Sequence, residues 1–247
     1  MPCVRVSRRR GDGSVRLRAA VREVQAIIFD LDDTLWEVGP VIVRAEHAMR
    51  SFLAERYPRV LELHTPESMR DLRARMAREH PTMRHDFTWL RLESLRSHAR
   101  EAGYPEAMAE EAFAVFYRAR NEVTLFEDVL PALERLHGRF RLFAASNGNA
   151  DLEAIGLARF FEHALAAREA GMLKPDPRIF TLLLGRAGLA PSQVLHVGDD
   201  AFADVEGARR AGLTPVWVNR AGDAWPLSAS PPPLAVQTLA ELADLLD

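Results

Sequence analysis

The stretch AIIFDLDDTL, residues 26–35, begins as a continuous apolar run and stops abruptly at acidic side chains. An unbroken apolar run of this length is typical of a strand that is buried on both faces of a parallel sheet. Open α/β sheets place their chemistry at the carboxyl ends of their strands. Asp30 would lie at such an end, with Asp32 two residues further on. Several acids there are costly unless a metal ion or a reaction uses them.

The composition is that of an ordinary globular protein, with 48% hydrophobic and 27% charged residues in a chain of 247. Cys3 is the only cysteine, which excludes an intrachain disulfide and favours a reducing compartment. No apolar run is long enough to span a bilayer. We therefore expect a cytoplasmic protein with no membrane partner.

The charge is unevenly distributed along the chain. Residues 1–23 hold seven arginines against Asp12 and Glu23, a net charge of +5, whereas the whole chain carries −3, so the remainder carries −8. This basic start lacks the apolar core of a secretory signal. It could be a nucleic-acid or membrane arm, but we favour a flexible extension ahead of the fold. The acidic remainder argues against a nucleic-acid partner.

Residues 41–121 have a different character from the chain on either side. Their apolar residues recur at helical spacing, with breaks near residues 58, 65, 80 and 103, which predicts four helices and no strand. Strands and helices alternate afterwards. The predicted fold is α/β: a Rossmann-like parallel sheet with helices on both faces, plus an inserted all-helical cap domain. The core domain would comprise residues 24–40 and 122–247, and the cap residues 41–121.

The alternation gives specific boundaries for the core. Strands are predicted at residues 24–30, 141–145, 163–166, 194–197 and 215–218. Helices are predicted at residues 129–137, 151–156, 178–187, 202–211 and 238–246, and residues 224–233 form a Pro/Ser-rich loop.

Polar clusters follow three of the predicted strands, and a lysine precedes one of the helices. They are Asp30 with Asp32, Ser146 with Asn147, Asp199 with Asp200, and Lys174. The carboxyl ends of parallel strands meet at one edge of a sheet, so these side chains can converge. Acids, a hydroxyl, an amide and one lysine suit a phosphoryl group, because Mg²⁺ binds carboxylates and bridges to phosphate oxygens.

These residues also carry a resemblance to a known family. The stretch DLDDT at residues 30–34, then Ser146, then Lys174, then Gly198-Asp199 with Asp204 are similar, in order, to the four motifs of the haloacid-dehalogenase-like (HAD) superfamily of hydrolases. The helical insertion resembles the C1-type cap of that superfamily. The stretches PVIVR (40–44), SNGNA (146–150), HVGDD (196–200) and DVEGA (204–208) resemble its phosphatases that act on flavin mononucleotide and on 5-amino-6-(5-phosphoribitylamino)uracil.

The resemblance implies a role for each acid. Asp30 would be the nucleophile and form an aspartyl-phosphate. Mg²⁺ would be held by Asp30, Asp199 and the backbone carbonyl of Asp32, which leaves the Asp32 side chain free to carry a proton. Asp204 would hold a metal-bound water or Lys174 in place without binding the metal ion itself.

The remaining motif residues would contact the phosphate or the substrate. Ser146 would hydrogen-bond the phosphate with Asn147 beside it, and Lys174 would balance the negative charge. Thr34 would either contact the phosphate or the nucleophile, or only hydrogen-bond locally. In the cap, Trp89 and Arg91 could grip a ring-bearing substrate by stacking and charge, although cap packing and a solvated surface are equally ordinary positions for them.

The favoured function is a Mg²⁺-dependent phosphatase that acts on a small-molecule phosphomonoester, possible substrates being flavin mononucleotide and a riboflavin-pathway phosphate. A haloacid dehalogenase of the same fold is an alternative, but it needs neither the metal nor Asp32. A phosphomutase uses the same groups and differs only in its product. A receiver-like signalling module also has a phosphorylatable Asp and a lysine, but lacks a helical insertion. We expect a monomer or weak homodimer.

Overall fold

The computed structural model describes residues 23–247. The expectation of a flexible basic extension therefore concerns residues that lie almost entirely outside the described part of the chain. Within residues 23–247, no helix is both long enough and apolar enough to cross a membrane.

Six parallel strands form one sheet in the order β3-β2-β1-β4-β5-β6. They are β1 (Ala26–Phe29), β2 (Arg141–Ser146), β3 (His163–Ala166), β4 (Val194–Gly198), β5 (Thr214–Val218) and β6 (Leu234–Val236). β1 lies between β2 and β4, so the chain builds one half of the sheet, returns, and builds the other half. Such a reversal leaves a crevice at the carboxyl ends of the central strands.

Helices surround the sheet and form a separate group between β1 and β2. The group consists of α1 (Val38–Arg56), α2 (Pro58–Leu63), α3 (Pro66–Glu79), α4 (Phe87–Ala102) and α5 (Ala107–Arg120). The others are α6 (Val129–Leu136), α7 (Leu152–Ile155), α8 (Ala167–Ala170), α9 (Arg178–Ala187), α10 (Gly207–Arg210) and α11 (Leu239–Leu246). A π-helical turn, Ala201–Glu206, precedes α10, and short 3₁₀ turns occupy Ala158–Phe160 and Pro191–Gln193.

Both faces of β1 are buried, which explains its unbroken apolar sequence. Ile27 and Phe29 pack into one core cluster with residues of α6 and α11, whereas Ala26 and Ile28 pack into a second cluster with residues of α9. The side chains alternate between the faces because successive residues of a strand point in opposite directions. The predicted fold class, an α/β parallel sheet covered on both faces with an inserted helical cap, is confirmed.

The helical insertion has a core of its own, built on residues such as Met49, Leu95 and Phe116. It contains five helices, so the prediction of four is wrong. The predicted break near residue 58 is present, since α1 ends at Arg56, but Pro58 then begins the additional short helix α2, where a missing N–H costs nothing. Because α1 begins at Val38, the helices start three residues ahead of the predicted cap boundary, and the division into core and cap domains remains a prediction.

Strand β6 is absent from our sequence-based predictions. It has only three residues and follows directly after the Pro/Ser-rich loop, so no alternating pattern marks it. The predicted helix at 202–211 is also divided, since its first part is a π-helical turn and only Gly207–Arg210 is α-helical. In contrast, β3 and α9 have the predicted boundaries.

Two leucines on α6 test the packing of this helix against the sheet. Leu133 is fully buried, whereas Leu130 is 36% exposed one turn earlier. Leu133→Ala should lower the free energy of unfolding by about 2–5 kcal/mol, because it removes buried methyl groups and leaves a cavity. Leu130→Ala on the same helix should cost about 0.5 kcal/mol. Urea unfolding measures both, and equal losses would contradict the assigned orientation of α6.

Candidate active site

The carboxyl ends of β1, β2 and β4 surround a cavity of about 340 Å³. Four of the residues that line it are Asp30, Ser146, Lys174 and Asp199. These side chains come from positions up to 169 residues apart in a chain of 247. The structure therefore brings the sequence-predicted polar clusters to one place.

Lys174 is buried at the centre of this cavity wall. Its Nζ donates hydrogen bonds to Oδ1 of Asp30 and, at 2.6 Å, to Oδ1 of Asp204. Burial alone would lower the pKa of Lys174, but the attraction of Asp204 and Asp30 outweighs burial and raises the pKa. Lys174 is therefore a permanent cation at neutral pH.

Asn147 positions Lys174 through the backbone. Its Oδ1 accepts from the Lys174 N–H at 2.8 Å, and its Nδ2 donates to the Lys174 carbonyl at 3.1 Å. The amide is thus occupied at both ends. Asn147 therefore holds the lysine segment, and because it also lines the cavity, its contact with the substrate stays a prediction.

Asp204 is the second buried acid on Lys174. Its Oδ1 also lies 2.9 Å from Nε2 of His196, and its Oδ2 accepts from the Asp200 N–H at 3.0 Å. Burial would raise the pKa of Asp204, but Lys174 and then His196 outweigh it and hold the pKa below its usual range. Both oxygens are engaged by protein groups, so Asp204 is placed to hold Lys174 rather than to bind a metal ion directly.

Asp199 is held from two sides. Thr34 Oγ1 donates to Asp199 Oδ1 at 3.0 Å, and Trp217 Nε1 donates to the Asp199 carbonyl at 2.7 Å. Thr34 is fully buried and does not line the cavity. Of the two alternatives for Thr34, the structure therefore favours a hydrogen bond within the protein over a phosphate contact.

The site holds more negative charge than its lysine can balance. Carboxylate oxygens of Asp30, Asp199 and Asp204 all lie within 4.8 Å of one another. Burial raises the pKa of Asp30 well above its ordinary value, and burial followed by the nearby Asp204 raises the pKa of Asp199 to about 7. The oxygen donors of Asp30 and Asp199, with this excess negative charge, fit a hard divalent cation such as Mg²⁺.

The Asp32 side chain has two partners that the sequence does not indicate, and its role as the proton carrier stays a prediction. Arg120 Nη2 lies 2.7 Å from each of its carboxylate oxygens, and Trp36 Nε1 donates to Oδ1 at 2.9 Å. Arg120 is buried at the end of α5, and its Nη1 has no hydrogen-bond partner within residues 23–247. No local pattern in the sequence indicates this partner, which lies 88 residues away from Asp32.

Two neighbouring acids have local structural positions. Asp33 adopts a left-handed backbone conformation (φ +59°), and its Oδ1 accepts from the Val38 N–H at 2.8 Å, just ahead of α1. Aspartate tolerates this conformation better than most residues. Asp200 Oδ1 accepts from the N–H groups of Phe202 and Ala203, both at 2.7 Å, and so caps the turn after β4.

Ser146 lies at the end of β2, where its Oγ accepts from the Gly148 N–H at 2.9 Å. A Cβ at Gly148 would lie 2.5 Å from Oδ2 of Asp32. Only glycine therefore lets this loop pass so close to the carboxylate. The hydroxyl of Ser146 keeps its own proton available for donation into the cavity.

A second cavity of about 280 Å³ lies within the helical insertion and adjoins the first, because Ile42, Phe87 and Asn149 line both. Arg91 lines this second cavity. Trp89 lines neither cavity, and its ring packs edge-on against His80 instead. The structure thus brings Arg91 towards the site but not Trp89.

The comparisons with known proteins define the class to which this fold and site belong. Residues 24–212 match the family model described as "Hydrolase: haloacid dehalogenase-like hydrolase". The chain belongs to this family, which confirms the resemblance seen in the sequence.

Individual relatives extend the match to nearly the whole chain. The chain is 31% identical over 240 residues to the 5-amino-6-(5-phospho-D-ribitylamino)uracil phosphatase YigB of Escherichia coli K12, covering 94% of this chain and 100% of that protein. It is 37% identical over 126 residues to a phosphoserine phosphatase of Thermus thermophilus, covering 49% of this chain and 51% of that one.

Among solved structures, the crystal structure of a 2-haloacid dehalogenase from Pseudomonas syringae pv. Tomato DC3000 superimposes with a TM-score of 0.85. The two are 38% identical, and the alignment covers 90% of this chain and 98% of that one. The relatives therefore include proteins named for both of the chemistries that the sequence left open, phosphatase and dehalogenase.

Gly198 tests the packing behind Lys174. A Cβ at this position would overlap the carboxylate carbon of Asp204, whereas a Cβ at Gly185 in α9 would meet nothing within 4 Å. Gly198→Ala should lower the free energy of unfolding by about 1–3 kcal/mol through overpacking. Gly185→Ala should leave it unchanged or raise it by up to about 1 kcal/mol, because alanine favours a helix interior. Urea unfolding of the two variants gives the comparison, and similar effects would count against the Gly198–Asp204 contact.

Proposed function

We propose that this hydrolase is a Mg²⁺-dependent phosphatase that cleaves a small-molecule phosphomonoester through an aspartyl-phosphate on Asp30. The observation that carries the proposal is the buried Lys174, which touches Asp30 in a cavity that also presents Asp32, Ser146 and Asp199. The resemblance to YigB over its whole length supports the same class of reaction.

In the first half-reaction, a carboxylate oxygen of Asp30 attacks phosphorus, and the bond from phosphorus to the leaving alcohol oxygen breaks. Asp32 supplies a proton to that oxygen. In the second half-reaction it takes a proton from the water that attacks the phosphoryl group, the bond from phosphorus to the Asp30 oxygen breaks, and inorganic phosphate leaves. Arg120 and Trp36 fix the orientation of Asp32 for both steps. Lys174 and the Ser146 hydroxyl stabilise the negative charge on the phosphoryl oxygens.

Mg²⁺ would be held by Asp30, Asp199 and the backbone carbonyl of Asp32. When bound, it supplies positive charge between the Asp30 carboxylate and the anionic phosphate, which otherwise repel each other. Asp204 keeps Lys174 in place beside Asp30 and so contributes without binding the metal. Thr34 likewise holds the Asp199 carboxylate in place through its hydrogen bond.

The cavity in the helical insertion would receive the part of the substrate beyond the phosphate. Arg91 and Arg73 both donate to Oε1 of Glu46, at 2.8 and 3.0 Å, so two guanidinium groups share one carboxylate. Burial and then the neighbouring Arg73 lower the pKa of Arg91 to about 10, which leaves it charged at neutral pH.

This surplus positive charge suits a substrate with carbonyl or anionic oxygens at its far end. The rest of the cavity lining is mostly apolar. A ring with acceptor oxygens, as in flavin mononucleotide or a pyrimidine phosphate of the riboflavin pathway, combines both requirements. We propose a substrate of this kind, a choice that the resemblance to YigB also favours.

Removal of the metal or of the nucleophile should abolish the reaction. With a chromogenic phosphate ester, phosphate release should require Mg²⁺, stop with a chelator, and fall by at least about 10⁴-fold in Asp30→Asn, because the amide is a poor nucleophile. Asp71→Asn, at an exposed position on α3, is the matched control and should retain full activity. Turnover that persists in Asp30→Asn, or that ignores the chelator, would refute the proposed mechanism.

Arg91 tests the substrate assignment separately from the chemistry. Arg91→Met should lower kcat/KM for a riboflavin-pathway phosphate by about 10–100-fold, since a charge-assisted hydrogen bond contributes about 1.5–3 kcal/mol. Activity towards a small chromogenic ester should change little. Arg70→Met, at an exposed position on α3, is the control. Equal losses on both substrates would show that Arg91 supports the fold of the cap rather than substrate binding.

Haloacid dehalogenation is the second candidate, and the 38% identity to the Pseudomonas syringae protein favours it. A halide-release assay with a 2-chlorinated short-chain acid, run without Mg²⁺, distinguishes the two. Metal-independent halide release without phosphatase activity would favour the dehalogenase. The half-buried Asp199 and its Thr34 partner, which a metal-free reaction does not need, favour the phosphatase.

A further inference from the structure

Three metal-binding side chains come together in the helical insertion, and none of them lines the catalytic cavity. His64 lies in the short link between α2 and α3, and His98 and Glu101 lie on α4. A spacing of three places His98 and Glu101 on the same face of their helix. This His/His/Glu cluster is separate from every residue used in the proposed reaction.

The distances suit a single small cation. One ligand atom from each residue lies within 4.8 Å of the others, and His64 Nε2 is 3.5 Å from Glu101 Oε2. Tetrahedral Zn²⁺ with bonds of about 2.1 Å separates its ligands by about 3.4 Å. The two imidazole rings are 4.1 Å apart between centroids and lie at 48° to each other, so small ring rotations bring their nitrogens into position.

The hydrogen bonding of the cluster is incomplete in a way that points to a ligand. His98 is only 2% exposed, yet neither of its ring nitrogens has a hydrogen-bond partner within residues 23–247. The same holds for Nε2 of His64. Buried polar atoms without partners are uncommon because each costs about 1–3 kcal/mol. A bound cation would use the lone pair of one ring nitrogen from each histidine.

Glu101 is already oriented for the role. Ser97 Oγ donates to its Oε1 at 3.0 Å, which fixes the carboxylate and leaves Oε2 facing His64. Hydrogen bonds of this kind commonly orient metal ligands. The carboxylate also supplies the negative charge that two neutral imidazoles lack.

We propose that His64, His98 and Glu101 bind one divalent transition-metal ion, with Zn²⁺ as the best match and a water completing the tetrahedron. Imidazole ligands favour Zn²⁺ and its neighbours, whereas Mg²⁺ prefers oxygen ligands. The ion would join the α2–α3 link to α4. Because Arg73 on α3 and Arg91 on α4 line the second cavity, it would brace the helices that form that cavity.

Cobalt spectroscopy on the full-length chain tests this site directly. For this assay Cys3→Ser is introduced, to remove a competing thiol ligand. Excess Mg²⁺ is added to occupy the site formed by the catalytic carboxylates. Co²⁺ should bind once per chain with the intense visible bands of tetrahedral coordination, and Zn²⁺ should displace it. His64→Gln and Glu101→Gln should each weaken Zn²⁺ binding by at least about 10–100-fold.

His47→Gln changes an exposed histidine on α1 and is the matched control, which should bind Co²⁺ like the parent chain. Glu101 has a side chain that is 53% exposed, so its substitution should leave the fold intact, and far-UV circular dichroism checks this. Affinities for Zn²⁺ that are equal in the parent, His64→Gln and Glu101→Gln would overturn the proposal. So would the absence of tetrahedral Co²⁺ bands in the parent chain.

Discussion

The contact of Lys174 with two buried aspartates is the interaction on which the rest of the site depends. The side chains of Lys174 and Asp204 are each only 2% exposed. Taking such charges out of water costs several kcal/mol per ion unless hydrogen bonds and opposite charges compensate. Here Asn147 fixes the backbone of the lysine, and His196 and the Asp200 N–H satisfy Asp204. Both carboxylate oxygens of Asp204 therefore have hydrogen-bond partners in the protein, whereas Asp30 lines the cavity.

This arrangement explains why the acids at the site are not equivalent. Lys174 and the hydrogen bond with His196 lower the pKa of Asp204. For Asp30 and Asp199, burial outweighs the groups that stabilise the charged form, so their pKa values rise. The first acid is a fixed anion that holds the lysine. The other two form a negatively charged edge that a divalent cation would relieve. A common residue type thus serves different purposes, according to its neighbours.

Much of the fold could be predicted from the sequence because its signals are local. The apolar run of β1 and the alternation of strands and helices after residue 122 indicate the parallel sheet, and the polar residues at strand ends indicate the position of the site. β6 and α2 were not predicted because three and six residues carry too little periodicity. Neither element changes where the site lies.

The contacts that were missed at the site depend on distant parts of the chain. Arg120 meets Asp32 across 88 residues, and Thr34 meets Asp199 across 165. No spacing within a single element could indicate either pair. The same applies to Trp89 and Arg91, which lie two residues apart on α4 and therefore point in different directions. The phase of a helix against the sheet is fixed only by tertiary packing.

The proposed mechanism requires Asp30, held against Lys174, to become phosphorylated during turnover. Rapid acid quenching of the enzyme with a phosphate ester and Mg²⁺, followed by borohydride reduction and peptide mass spectrometry, tests it directly. Reduction of an aspartyl-phosphate yields homoserine, and we expect homoserine at position 30 and at no other aspartate. Homoserine at a different aspartate, or none while phosphate release continues, would contradict it.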